Sequence, residues 1–273
     1  MRIRLAAGVA VVAASMALAS TAQQQQPAPA PAPATALPPG GYLPRGAAPN
    51  SLAMIPPPPA PDSAAQARDD AAARAAQAQQ SGPRWDVATL DADLVTPESV
   101  RAFSCAADVD ISPATTPKLY AMMRKTLIDV GLSPYPTKTK YQRQRPFMTT
   151  SVTTICSPAY EALLRKDGSY PSGHSAIGWG WALILAEAVP DRIDPILARG
   201  RAFGQSRVVC NVHWLSDTEE GRVIAAATVA KLHTVPEFES DLAAVRTEIA
   251  AARAEGKRPT RDCAAEAGAL ADG

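Results

Sequence analysis

Two of the three histidines in this 273-residue chain stand where their spacing gives them chemical partners. His213 lies four residues before Asp217 in the stretch Ser206-Arg207-Val-Val-Cys-Asn-Val-His213-Trp-Leu-Ser-Asp217. On a helix that interval lets the carboxylate reach one ring nitrogen and leaves the other unprotonated, as a nucleophile or base requires. Arg207 brings a permanent cation at the preceding helix end. His174 lies in Asp167-Gly-Ser-Tyr-Pro171-Ser172-Gly173-His174-Ser175. Pro171 suits a first helical position, and Ser172 with Gly173 leaves backbone N–H groups free at a helix N-terminus. That is an anion cradle with a hydroxyl beside it and His174 in its first turn. A third stretch, Lys138-Thr-Lys-Tyr-Gln-Arg-Gln-Arg145-Pro146, sets Lys138 and Arg145 seven residues apart, two turns along one helix face. Pro146 turns Arg145 out of helical geometry, while Lys140 and Arg143 point elsewhere.

Each stretch alone has an ordinary reading: a solvated basic helix, a loop-to-helix junction, a surface ion pair. Together they hold what a tetrahedral oxyanion such as phosphate needs. Lys138, Arg145 and Arg207 supply cations for its equatorial oxygens, the Ser172-Gly173 turn supplies donors, and the two histidines supply a nucleophile and an acid on the leaving side. His233, near a helix C-terminus, is expected to cap it.

The elements that must position these groups read as helices. Asp62 or Ser63 caps a run to about Gln80, and short helices follow near Asp86 to Asp93 and Pro97 to Ala107. A longer one spans about Thr116 to Val130, burying Leu119, Met122, Met123, Leu127 and Ile128, and Gly131 stops it. Further helices are predicted over Thr137 to Gln144, Ser157 to Lys166, Ser172 to Val189, Pro195 to Arg207, His213 to His233 and Pro236 to Ala254. Val208 to Val212 is the one β-branched cluster, and it is short. The expected architecture is all-α, a single globular helical domain.

Composition narrows the partners. With 27 Lys+Arg against 26 Asp+Glu the net charge is +1, which gives no electrostatic footprint for a nucleic-acid binder, so any basic site is local. Apolar residues make up 47% and aromatic ones 5%, a balance that suits closely packed helices. Met1 to Ala22 reads as an export signal, with Arg2 and Arg4 ahead of an apolar stretch and cleavage before Gln23, or alternatively after Ala19. Residues 23–40 read as a Gln/Pro/Ala-rich leader that is expected to be disordered. Residues 41–273 are expected to form the catalytic domain, with the segment Gly41 to Pro61 extended and lying against it. The apolar stretch Ser175 to Val189 contains Glu187 and ends at Pro190, so it reads as a core helix and no membrane association is expected. Four cysteines in an exported chain allow three disulfide pairings.

The pattern Lys138-x6-Arg145-Pro146, Pro171-Ser172-Gly173-His174 and Ser206-Arg207-x5-His213-x3-Asp217 resembles the three-part signature of the type 2 phosphatidic acid phosphatase and vanadium haloperoxidase superfamily. The fuller stretches GSYPSGHS and GQSRVVCNVHWLSD resemble the secreted class A bacterial non-specific acid phosphatases, from about Ile55 to Leu242. Every signature position matches, and Ser175 stands where many members have Thr. The resemblance implies an all-α fold and broad phosphomonoester hydrolysis through a phosphohistidine, with phosphotransferase side activity, in the periplasm. By position, His213 attacks phosphorus, Asp217 orients it, and His174 protonates the leaving alcohol. Lys138, Arg145, Ser172, Gly173 and Arg207 hold the phosphoryl oxygens. No metal and no other cofactor is implied, the partners are small phosphomonoesters, and a homo-oligomer stays open. Cys156 and Cys210 lie near the motif residues in the chain and are expected to pair, leaving Cys105 with Cys263.

Three other readings use the same residues. A vanadate-dependent haloperoxidase would seat vanadate in the same cradle, and a non-catalytic phosphate-binding protein would use the cradle alone. A metal site built from His174, Cys210, His213 and Asp217 is disfavoured, because a disulfide removes Cys210 and the three cations repel a divalent ion.

Overall fold

The computed structural model describes residues 38–271. The signal segment 1–22 lies outside the described residues, as does all of the leader except its last three positions. Nine helices of more than one turn, among the described residues, run α1 (Ala64–Gln77), α2 (Pro83–Asp91), α3 (Pro117–Leu132), α4 (Tyr135–Tyr141), α5 (Gly173–Ala188), α6 (Ile193–Val209), α7 (Leu215–Leu232), α8 (Pro236–Ala254) and α9 (Cys263–Ala271). No described residue is in a strand, and the Val208 to Val212 cluster ends α6 and enters the turn after it. The fold is all-α.

Helix α5 is apolar almost all round, and it forms the centre: α3, α6, α7 and α8 pack against it. Its Trp181 ring meets Phe103 and Phe203 edge-on, and its indole N–H donates to the Met123 carbonyl of α3 at 2.9 Å. Close approach of α5 to its neighbours depends on small residues. A Cβ on Gly200 of α6 would stand 2.3 Å from the Ala182 methyl, and one on Gly221 of α7 would stand 2.6 Å from the Ser172 carbonyl. These contacts bring the start of α5, the end of α6 and the start of α7 to one end of the bundle. Helix α1 lies across α6 and α7, and α2 lies between α6 and α9.

Several predicted boundaries shift. Gly131 does not stop α3, which runs on to Leu132, because a glycine inside a helix costs only about 1 kcal/mol against alanine. The region Pro97 to Ala107 is two single turns, Glu98–Arg101 and Ser104–Ala107, and Ser157 to Lys166 is a 3₁₀ turn followed by the single turn Glu161–Leu164. Helix α9 matches no predicted element. The segment Gly41 to Pro61 does lie on the domain, with Tyr42 and Ile55 buried, but it contains a helical turn, Ser51–Met54. The Asp129 carboxylate accepts from the N–H groups of Tyr42 and Leu43 at 2.7 and 3.0 Å and ties this segment to α3.

The disulfides are Cys105–Cys263 and Cys156–Cys210. The first fastens α9 to the turn Ser104–Ala107, and the second fastens the loop before Pro158 to the end of α6. His233 caps α7 as expected, its N–H donating to the Val229 carbonyl at 3.2 Å, and its side chain has a further role. Its Nδ1 meets Glu239 at 2.5 Å and its Nε2 meets Glu187 at 3.0 Å, so it joins the ends of α5 and α7 to the start of α8.

Two outcomes follow from this packing. Gly200→Ala forces a methyl against Ala182 and the Gly178 carbonyl, an overpacking expected to lower stability by about 1–3 kcal/mol in denaturant unfolding. Burial pulls the His233 pKa down, but the bonds to Glu239 and Glu187 outweigh it and leave the pKa raised. Its stabilisation is therefore complete below the unfolded value of about 6.5 and is lost as pH rises through the folded value. Because the pair is partly exposed, His233→Gln should cost no more than about 1 kcal/mol at acid pH and nothing well above neutrality. A deficit of equal size at both ends of the pH range would contradict this assignment.

Candidate active site

The first turn of α5 is set by its cap. Ser172 Oγ accepts from the Ser175 N–H at 3.2 Å and from the Ser175 hydroxyl at 3.0 Å. Pro171 sits outside the helix rather than at its first position, since Ser172 is the N-cap. Nor is the Ser172 N–H free: it donates to the Asp217 carbonyl at 2.9 Å and so stitches the start of α5 to that of α7. The amides of Gly173 and His174, first in the helix, have no preceding turn to bond to, which leaves the positive end of α5 facing outward there.

His213 and Asp217 do not share a helix as predicted. Helix α7 begins after Trp214, because Asp217 Oδ2 reaches back to the Trp214 N–H at 2.9 Å and caps it. Asn211, with φ 61, turns the chain just before. His213 therefore approaches from the loop, and its Nδ1 still meets Asp217 Oδ2 at 3.1 Å. Nε2 meets Arg145 Nη1 at 3.1 Å. A guanidinium only donates and a carboxylate only accepts, so these partners fix the tautomer: Nδ1 carries the proton and Nε2 presents its lone pair.

Lys138 and Arg145 also converge without sharing a helix face. Helix α4 ends at Tyr141, Gln142 takes a left-handed conformation, and Arg145 is extended ahead of Pro146. The common anchor is the loop before α5. Lys138 Nζ donates to the Gly168 carbonyl at 2.5 Å and lies 3.4 Å from Asp167 Oδ2. Arg145 Nη2 donates to the same carboxylate at 3.1 Å and the same carbonyl at 3.3 Å. Arg145 also donates to the carbonyls of Leu164, Asp167 and Val212. Arg207 is the least satisfied: its Nη1 faces Cys210 Sγ at 3.7 Å, and its buried Nε has no hydrogen-bond partner among the described residues.

Lys138, Arg145, Gly173, His174 and His213 line one cleft of about 380 Å³, with Asp167 at its wall and Tyr135, Leu94, Leu163, Leu164 and Ile177 on its apolar side. Arg207 and His174 line an adjoining cleft of about 190 Å³, whose other walls include Val95, Ser157 and Tyr160. Ser172 and Asp217 are fully buried behind these walls. Among the described residues no three His, Cys, Asp or Glu side chains are grouped to hold a metal ion.

Burial and the cations set the protonation states. Burial, then Arg207, push the His174 pKa well below its ordinary value. Burial, then Arg145 and Lys138, do the same to His213. His174 Nε2 lies 3.1 Å from the Ala92 carbonyl, so that nitrogen carries the proton of the neutral ring. Burial and Arg145 lower Lys138 to about 8. Burial raises Asp217, against the opposing pull of Arg143, the Trp214 N–H and Lys138.

Three residues at the site escaped the motif reading. Asp167, inside one motif, pairs with two of its cations. Arg143 does not point away: its side chain is mostly enclosed, and it donates to Asp217 Oδ1 and to Asp69 Oδ2, both at 2.7 Å. Its place two residues before Arg145 in the basic stretch was the only sign available. Asp69 sits in an Ala-rich helix with no motif around it.

A profile of the PAP2 superfamily matches residues 117–240. The chain is 42% identical to a non-specific acid phosphatase of Salmonella typhimurium over 203 residues, which cover 73% of this chain and 80% of that protein. It is 39% identical to a non-specific acid phosphatase of Providencia stuartii over 225 residues, 79% and 90% of the two chains. An acid phosphatase of Zymomonas mobilis is 38% identical over 212 residues, 76% of this chain and 78% of that one. No helix among the described residues is long and apolar enough to cross a membrane. The chain belongs to the PAP2 superfamily, among its non-specific acid phosphatases, and is an acid phosphatase.

Proposed function

We propose that the enzyme hydrolyses a broad range of phosphomonoesters through a phosphohistidine on His213. The observation that carries this reading is the His213 ring, with Nδ1 held by Asp217 and an unprotonated Nε2 beside Arg145 in a cleft lined by Lys138. An incoming phosphoryl group draws the Arg145 Nη1 donor onto its own oxygen, which releases Nε2 for attack. Lys138, Arg145, Arg207 and the Gly173 amide hold the equatorial oxygens, and Ser172 holds the turn that presents that amide. A monoanionic ester brings a proton that passes to the free Nδ1 of His174, Nε2 of His213 bonds to phosphorus as the ester P–O bond breaks, and His174 gives that Nδ1 proton to the departing alkoxide. Water then attacks phosphorus and gives a proton to His174 Nδ1, the P–N bond breaks with its electron pair returning to His213 Nε2, and phosphate is released. An alcohol in place of that water gives the phosphotransferase side activity. The apolar walls supply few directional bonds, which suits varied leaving groups. Residues 1–22 act as an export signal, 23–40 as a leader and 41–273 as the catalytic domain, and two disulfides suit an oxidising compartment such as the periplasm.

Brief incubation with a labelled phosphomonoester at acid pH, followed by peptide mapping, should place the label on the peptide containing His213. Turnover without that label would refute the mechanism. His213→Ala should abolish turnover and keep inorganic phosphate binding, which separates an enzyme from a phosphate-binding protein. His174→Gln should lower kcat roughly 10²–10⁴-fold for an alkyl phosphate. The loss should be far smaller for 4-nitrophenyl phosphate, whose leaving group needs no proton. Equal losses on both esters would remove His174 from the acid role.

A further inference from the structure

We infer that helix α1 belongs to the catalytic apparatus: through Asp69 it holds Arg143, and Arg143 is the positioning residue that keeps Asp217 ionised and aimed at His213. The inference rests on the phosphohistidine reading above and extends it outward by two residues.

The geometry is a closed chain of bonds. Arg143 Nη1 donates to Asp217 Oδ1 at 2.7 Å and to Ser216 Oγ at 2.9 Å. Nη2 donates to Asp69 Oδ2 at 2.7 Å and to Gln66 Oε1 at 2.8 Å. Asp69 also accepts from the Ser216 N–H at 2.8 Å and from the Ser216 hydroxyl at 2.5 Å. Both carboxylates are fully buried, and the Arg143 side chain is 9% exposed. The guanidinium carbon lies over the Trp214 ring, 5.2 Å from its centroid, a cation–π contact that adds to the hold on the fork.

Asp217 must do three things at once: accept from His213 Nδ1, cap α7 through the Trp214 N–H, and stay charged while buried. The first two use Oδ2 alone. Among the described residues Arg143 is the only donor on Oδ1, and without it a carboxylate that burial already disfavours in its charged form would take up a proton. Protonated Asp217 is a poor acceptor for the His213 N–H, so the tautomer that bares Nε2 is lost. Other groups bear on Asp217 as well: Lys138 from α4, Arg145 from the segment after it, Tyr170 ahead of α5, and His213 itself. Lys138 and Arg145 are committed to the Gly168–Asp167 loop and the phosphoryl site, which leaves orientation to Arg143. A lysine cannot replace it, since one ammonium lacks the fork that bridges two carboxylates. Asp69 balances the arginine charge, and it comes from outside residues 117–240, the stretch the PAP2 profile matches.

A simple staple between α1 and α7 would show in stability alone, so the test reads kinetics. Arg143→Gln and Arg143→Lys are made in the full chain. Steady-state rates on 4-nitrophenyl phosphate are measured across pH, with the inhibition constant of inorganic phosphate and the thermal midpoint. For Arg143→Gln the expected result is a roughly 10–100-fold loss of kcat, the scale seen when a group supporting a site ligand is removed, with KM and the phosphate constant held. The acid limb of kcat should move to higher pH, because removing the cation raises Asp217 further. Arg143→Lys should fall between, its acid limb near the wild-type position. Wild-type kcat and acid limb in Arg143→Gln would overturn the inference, as would a phosphate constant that weakens in step with kcat. If Arg143→Gln does not fold, Arg143→Lys decides: lowered kcat with the phosphate constant held supports the inference, and unchanged kcat overturns it. Label mapping on the wild type keeps the two readings apart. Absence of label on the His213 peptide removes the nucleophile, whereas labelled wild type with unaltered Arg143→Gln kinetics removes only the role of Arg143.

Discussion

Lys138, Arg145 and Arg207 are like charges taken out of water around one pair of clefts, and the molecule is organised around that electrostatic constraint. Each buried ion carries a desolvation cost of several kcal/mol, and their mutual repulsion adds to it. Arg145 is compensated by carbonyls of four residues and one carboxylate, and Lys138 by one carbonyl and the same carboxylate. Among the described residues Arg207 has only a sulfur contact, and burial with the charge of Arg145 depresses its pKa. The three are thus held by the protein without being neutralised by it. A bound phosphoryl group supplies the missing negative charge, so the strain of assembling the cations becomes affinity for an oxyanion.

Holding such a group rigidly requires support beneath it, and two buried ion networks flank the site. On one side Arg143 spans Asp69 and Asp217. On the other, Asp91 accepts from Arg199 at 3.1 and 2.5 Å and from Ser206 at 2.6 Å, while Arg84 donates to Ser206 at 3.0 Å. Ser206 precedes Arg207, so this network fixes the rotation of α6 and with it the direction of the Arg207 side chain. Glu266 of α9 lies 3.3 Å from Arg199, and the Cys105–Cys263 bridge holds α9 in place. The Cys156–Cys210 bridge fixes the turn after Arg207. The parts of the fold farthest from the chemistry thereby act on the aim of one guanidinium.

Legibility in the sequence followed the range of the interaction. Helix α8 was readable to its end residues and α5 to within one, because Pro, Ser and the apolar pattern act locally. The three motifs named residues that do converge, and Arg145 is extended ahead of Pro146 as read, but two spacing arguments failed: Lys138 and Arg145 share no helix face, and His213 lies before the helix assigned to it. Seven-residue and four-residue spacings are compatible with a helix, but a left-handed Gln142 and a cap by Asp217 solved the same placement differently. What failed outright was long-range. Arg143 meets Asp69 across 74 residues of chain, and nothing in an Ala-rich helix marks one aspartate as a partner. Helix α9 owes its place to a disulfide and to Glu266, neither of which leaves a periodic trace.

The same cations that attract phosphate also set the pH range. Burial and then Arg207 keep His174 neutral in the free site, so the proposed acid is not charged before substrate arrives. A phosphomonoester with a second pKa near 6 is largely a monoanion under acid conditions and carries one proton into the cleft. Monoanion plus neutral imidazole has the same proton count as dianion plus imidazolium. Once the ester sits among Lys138, Arg145 and Arg207, the cations favour the dianion, and the proton can pass to His174 at no cost in net charge. Above that pKa the ester arrives without the proton, and His174 must draw one from solvent against the field of Arg207. On this argument acid activity arises from substrate protonation as much as from the enzyme, and it explains how a histidine with a depressed pKa can serve as the acid.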